Sequence, residues 1–174
     1  ALWFSVVAVG QFAESAEAFT GLLVYDSFGC YIRVVLTGFV VLFCLFTLIS
    51  GIPDRDAATD FYPLVLGATL GMCTMASANH LLTVFLGVEM ASVPCYALAG
   101  ALKGRRKGSE AALKYVIYGA GAAGVMLYGI SLVAGIVGSV HLPTMAIKLA
   151  DLLAHQPGSD QLMVLALGGL MIMV

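Results

Sequence analysis

Four apolar runs, Ile32–Ile49, Phe61–Ser77, Leu81–Leu102 and Ala111–Val137, set the terms on which this chain can fold. A bilayer core of roughly 30 Å is crossed by about 20 apolar residues in helical form. Lipid offers no water to backbone N–H and C=O groups, so only helices or closed barrels span it. The lengths of these runs predict an all-α, polytopic transmembrane helical bundle. Composition points the same way: 61% of the residues are hydrophobic and 10% charged, whereas about a quarter are charged in ordinary soluble domains. The run from Ala111 exceeds a simple span and is expected to tilt.

Two more apolar stretches stand at the ends. Ala1–Gly10 is too short to span, and it has no initiator Met, basic n-region or cleavage site, so it reads as the end of a helix rather than a signal peptide. Gln161–Val174 is still apolar at its last residue. The expectation is a single membrane domain fragment: the end of one helix at 1–10, spans at about 32–49, 61–77, 81–102 and 111–137, and the start of a further helix at 161–174.

The connections suggest an orientation. Lys103–Glu110 (KGRRKGSE) carries four Lys/Arg residues within five positions, which the positive-inside rule places on the cytoplasmic side. Counting spans backward puts Gly51–Asp60 (GIPDRDAATD) on that same side, with Ser77–His80 and His141–Asp160 opposite. Within the last segment Met145, Leu149, Leu152 and Leu153 recur at helical spacing, so Leu142–Leu153 is expected to form a short amphipathic surface helix.

Several function classes drop out. A net charge of −2 with no basic stripe argues against nucleic acid as a partner. Cys30, Cys44, Cys73 and Cys95 form no C-x-x-C pair, so apolar thiols are a better reading than metal or redox ligands. Gly119, Gly121 and Gly124 match G-x-G-x-x-G, but inside an apolar run and without a preceding strand they fit helix contacts better than a nucleotide. Gly67 and Gly71 read likewise. Met72, Met75, Met90 and Met126 read as gap-filling side chains. His80 borders a span and His141 and His155 lie in a polar segment, which does not suit a haem pair.

What remains is charge inside the apolar runs. Glu89 lies eight residues from Leu81, roughly 12 Å into its helix. Lys114 sits just inside the next run. An ionisable residue at membrane depth costs at least about 2.5–3.5 kcal/mol and faces a protein interior or wet cavity. Lys114 has an alternative, since a lysine near a helix end can snorkel to the interface. Glu89, too short and too deep for that, has as its alternative a neutral acid hydrogen-bonded to a neighbouring helix. Pro94 lacks the N–H that would bond the Met90 carbonyl, which loosens the helix beside Glu89. A carboxylate next to a weakened turn is a plausible proton station, with Lys114 its expected neighbour.

The stretches SANHLLTVFLGVEMASVPCYALAG (Ser77–Gly100) and SEAALKYVIYGAGAAGVMLYGISLV (Ser109–Val133) resemble the antiporter-like N subunit of respiratory complex I, which has counterparts in the mitochondrial and plastid enzymes. LLVYDSF (Leu22–Phe28) and LGATLGM (Leu66–Met72) fit the same pattern. The resemblance implies a proton-translocating subunit of an NAD(P)H- or ferredoxin-driven quinone reductase, part of an inverted-repeat fold, with Glu89 on its fifth helix and Lys114 on its sixth. It implies no cofactor in this chain: flavin, iron-sulfur clusters and quinone belong to partner subunits. Its partners are other membrane subunits, including further antiporter-like ones, together with lipid and protons. The family's central lysine, on a seventh helix, falls after Val174. A bacterial inner membrane is the expected location, with organellar inner or thylakoid membranes as alternatives. A subunit of a cation/proton antiporter or membrane-bound hydrogenase is the nearest alternative function, and a structural membrane scaffold the alternative of a different class.

Overall fold

The computed structural model describes residues 16–51, 55–101, 106–155 and 168–169. The end segments 1–10 and 161–174, apart from the helical pair 168–169, lie outside the described residues. Among the described residues a short hairpin is followed by five helices: β1 (Ala16–Ala18), β2 (Leu23–Tyr25), α1 (Ser27–Ser50), α2 (Arg55–Met75), α3 (Leu81–Ala99), α4 (Arg106–Val137) and α5 (Leu142–His155).

α1, α2 and α4 start earlier than their apolar runs, while α3 starts with its run at Leu81, because helix formation follows caps and propensity as well as hydropathy. The Asp26 carboxylate accepts a 2.7 Å hydrogen bond from the Gly29 amide and so starts α1 five residues before Ile32. Gly51 closes that helix in the left-handed conformation, φ 67°. Likewise α4 begins at Arg106, inside the basic segment, where Arg, Lys and Glu are good helix formers. At its other end α3 stops at Ala99, three residues short of Leu102. By length and composition α1, α3 and α4 can cross a membrane. Although 21 residues long, α2 begins among Arg55, Asp56 and Asp60.

The helices pack as neighbours in chain order. A stacked contact of Phe43 with Phe61, ring centroids 6.2 Å apart, joins α1 to α2. Between α2 and α3 the backbones nearly touch: a Cβ on Gly71 would lie 2.9 Å from the Gly87 carbonyl, and one on Gly87 would lie 2.8 Å from Met75 Cβ. Such close approach is the ordinary use of small residues between membrane helices. A buried cluster of Leu81, Ile130, Val133 and Val137, with Phe85, Met126, Leu142 and Met145 against it, binds the start of α3 to the end of α4 and to α5.

One end of the bundle is tied by backbone hydrogen bonds. The Asn79 amide donates to Leu22 O at 3.0 Å, the Leu81 amide to Val140 O at 2.9 Å, and the Leu142 amide to Asn79 O at 3.0 Å. The α2–α3 connection thus lies between the hairpin and the start of α5. Asn79, 7% exposed, also holds its Nδ2 3.0 Å from His141 Nε2, and His141 Nδ1 lies 2.9 Å from Thr144 Oγ1. His80 caps α3, its Nδ1 accepting from the Leu82 amide at 3.3 Å.

Candidate proton-transfer site

Five facing contacts fix how α3 presents Glu89. Gly87, Ala91 and Pro94 face α2, against Met75, Gly71 and Gly67 respectively. Tyr96 and Gly100 face α4, against Gly119 and Ala112. At 3.6 residues per turn, Glu89 falls on the side of Tyr96, seven residues on, and not on the side of Gly87. Glu89 is therefore half-buried on the α4-facing side of its helix, and Pro94 lies behind it, on the α2-facing side.

The same contacts give the register of the antiparallel pair. Gly100 is level with Ala112, Tyr96 with Tyr115 and Gly119, and Phe85 and Leu81 with the cluster of Met126, Ile130 and Val133. Interpolation places Glu89 opposite the stretch Gly119–Gly124 (GAGAAG), which carries no side chain larger than a methyl group. A carboxylate and water fit where neighbouring side chains are this small.

Lys114 is placed differently. It is level with the last turn of α3, about nine residues or 13 Å along the axis from Glu89. It also lies on the α4 face turned away from Ala112 and Gly119. Its ammonium donates to Glu110 Oε1 at 2.6 Å, with the two side chains 65% and 61% exposed. Glu89 takes part in no ion pair among the described residues. The two head groups are expected from sequence to interact directly or through one or two waters; among the described residues Lys114 makes its ion pair with Glu110, four residues earlier on α4, and none with Glu89. The signal was legible in Glu110-Ala-Ala-Leu-Lys114, since residues four apart on a helix are neighbours.

Sequence reasoning also passed over Tyr96 and Arg33. Tyr96 makes an edge-to-face contact with Tyr115, centroids 4.7 Å apart. Arg33, in the second turn of α1, has Cζ 4.7 Å from the Tyr25 ring centroid and buries Nε and Nη2 without hydrogen-bond partners among the described residues. Of the glycines read as helix contacts, Gly67, Gly71 and Gly119 meet a neighbouring helix; Gly121 and Gly124 face open space among the described residues.

Fold and site together define a helical membrane protein with a carboxylate at a helix interface. Residues 78–174 match the family model described as NADH:quinone oxidoreductase/Mrp antiporter, TM, and the chain belongs to that family. It is 41% identical over 135 residues to NADH-quinone oxidoreductase subunit N 2 of Symbiobacterium thermophilum, covering 77% of this chain and 27% of that protein. Against the subunit of the same name from Sorangium cellulosum it is 43% identical over 149 residues, 83% of this chain and 29% of the relative. Among solved structures, respiratory complex I from Thermus thermophilus with bound aureothin contains a chain 34% identical, TM-score 0.66, matched by 97% of this chain over 34% of its own length. The membrane-bound sulfane sulfur reductase, an archaeal respiratory membrane complex, shares the fold at TM-score 0.75 and 18% identity, with 99% of this chain and 35% of that one covered. The chain thus spans about a third or less of the length of the relatives it matches.

Proposed function

We propose that this chain supplies part of the proton path in the N-type membrane subunit of a complex I-type NAD(P)H or ferredoxin:quinone oxidoreductase, with Glu89 as its proton carrier. The observation that carries this reading is the position of Glu89: half-buried, on the α4-facing side of α3, opposite the small residues of Gly119–Gly124 and next to the turn that Pro94 weakens. A carboxyl group binds and releases a proton without any redox centre, so flavin, iron-sulfur clusters and quinone are assigned to partner subunits. Similarity to N subunits over most of the chain favours this assignment over the antiporter branch of the same family. Lys114 acts in this reading from the outer face of α4, toward helices beyond those described, and its link to Glu89 is indirect. The neighbours are other membrane subunits and lipid, in a bacterial inner membrane with Lys103–Glu110 on the cytoplasmic side.

The test is Glu89→Gln in the assembled enzyme, which keeps side-chain size and removes the titratable proton. Pumping and coupled quinone reduction, each measured per assembled complex, should fall together by about 10²-fold or more, as for other positioned proton-transfer groups. Wild-type rates in this variant would remove Glu89 from the path. Loss of assembly with normal pumping in the remainder would instead mark a structural scaffold.

A further inference from the structure

A proton path along the α3–α4 interface needs a group between Glu89 and the end of the bundle where α3 gives way to the basic segment. Tyr96 stands there. It is on the Glu89 side of α3, seven residues on, or about 10 Å along the axis. Its ring rests edge-to-face on Tyr115, at an interplanar angle of 79°. The hydroxyl end reaches one turn further along α4 to Gly119, where a Cβ would overlap the phenol oxygen. From Tyr115 to Gly119 is the direction of Glu89, as expected for a helical side chain leaning toward its own N-terminus. The phenol oxygen therefore lies on the Glu89 side of the Tyr115 contact, one turn along α4 toward the level of the carboxylate. Its hydroxyl has no hydrogen-bond partner among the described residues, although it can donate one bond and accept two.

We propose that Tyr96 is a relay residue of the proton path, its phenol passing protons along the α3–α4 interface between Glu89 and the basic-segment end of the bundle. This rests on the reading of Glu89 as proton carrier. In each transfer the oxygen accepts a proton from the water on one side as its own O–H proton leaves to the group on the other. One O–H bond forms, one breaks, and the phenol is neutral before and after. Gly119 is what makes room: any larger residue would push the hydroxyl out of line. The groups placed against the phenol are Tyr115 and Gly119 of α4, with Glu89 about two turns away on the same side of α3, while Lys114 and Glu110 pair with each other on the far face of α4.

The test compares Tyr96→Phe with Glu89→Gln in membrane vesicles holding the assembled enzyme, with rates normalised to complex content. Phenylalanine keeps the contacts with Tyr115 and Gly119, so a packing role predicts no change. A relay role predicts about a tenfold loss of pumping, less than the 10²–10⁴ of a positioned acid or base because water can partly replace a hydroxyl. Wild-type pumping in Tyr96→Phe with pumping lost in Glu89→Gln overturns the relay and leaves the proposed function standing; wild-type pumping in Glu89→Gln overturns both.

Discussion

The Lys114 ammonium lies 2.6 Å from Glu110 Oε1, one turn earlier on α4, and this pair replaces the contact with Glu89 that the sequence suggested. Glutamate four residues before lysine is the favourable order on a helix, yet such a pair contributes only about 0.2–0.5 kcal/mol. Its worth is in where it holds the ammonium, on the face of α4 away from Glu89.

That placement predicts graded effects. Lys114→Ala should reduce pumping less than Glu89→Gln does, and Glu110→Gln should leave the amount of assembled complex unchanged. Because the pair is exposed at both ends, its contribution to stability is expected below about 1 kcal/mol. Pumping assays on matched amounts of complex check the order. Equal losses for Lys114→Ala and Glu89→Gln would put the lysine directly in the same path.

The contact between α2 and α3 should tolerate no added side chain. At Gly71 a methyl group would lie 2.7 Å from the Met90 carbonyl carbon and 2.9 Å from Gly87 O, both backbone atoms that cannot swing aside. Overpacking of this kind costs about 1–3 kcal/mol, so Gly71→Ala should lower the yield and thermal stability of the complex. Gly121→Ala is the comparison, since nothing lies within 4 Å of its Cβ position among the described residues. There the gain in helix propensity, up to about 1 kcal/mol, should leave stability unchanged or raised. Quantifying assembled complex for both variants decides the matter.

The membrane helices were legible because lipid selects on two quantities a sequence displays openly, apolar length and the rarity of charge. Glu89 was legible for the same reason. What hydropathy did not show is which way each residue faces: Glu89 and Lys114 look adjacent as charges in successive runs, and only the antiparallel register through Gly100, Tyr96 and Gly119 separates them. The hairpin of β1 and β2 was not legible either. Its strands have three residues each, and its pairing depends on the remote acceptor Ser77 O and donor Asn79 N of the α2–α3 connection as much as on its own sequence. Arg33 escaped notice by sitting at the edge of an apolar run, where hydropathy averages it away.

Pro94 gives a test of whether the loosened turn matters for transfer. Alanine at this position restores the amide that can bond the Met90 carbonyl and removes a helix-interior proline, a change of about 3 kcal/mol in intrinsic helix preference. The contact between Gly67 and the Pro94 ring, 3.5 Å from the Gly67 Cβ position, is lost with it. Pro94→Ala should assemble at least as well as the native protein and pump several-fold more slowly, because the segment carrying Glu89 is stiffer. Undiminished pumping would show that the proline serves packing alone.

Arg33 is the last case, and here the balance of terms sets the sign. Its Nε and Nη2 are buried with no hydrogen-bond partner among the described residues, and the Tyr25 ring, 4.7 Å from Cζ, is the group beneath it. A desolvated cation–π contact contributes about 2 kcal/mol, while the effective penalty for burying an ion is several kcal/mol. Arginine stays charged, so it cannot escape by losing its proton. Asp26, the nearest carboxylate along α1, is already committed to the Gly29 amide at 2.7 Å. Methionine keeps an unbranched stem against Tyr25 and removes the charge, so Arg33→Met should be neutral or stabilising, by up to about 4 kcal/mol. Arg33→Ala, which also loses the stem, should destabilise. Thermal unfolding of the solubilised complex separates the two variants. If Arg33→Met destabilises as much as Arg33→Ala, the guanidinium is held by a partner outside the described residues, and its charge is part of what fixes α1 in the assembled subunit.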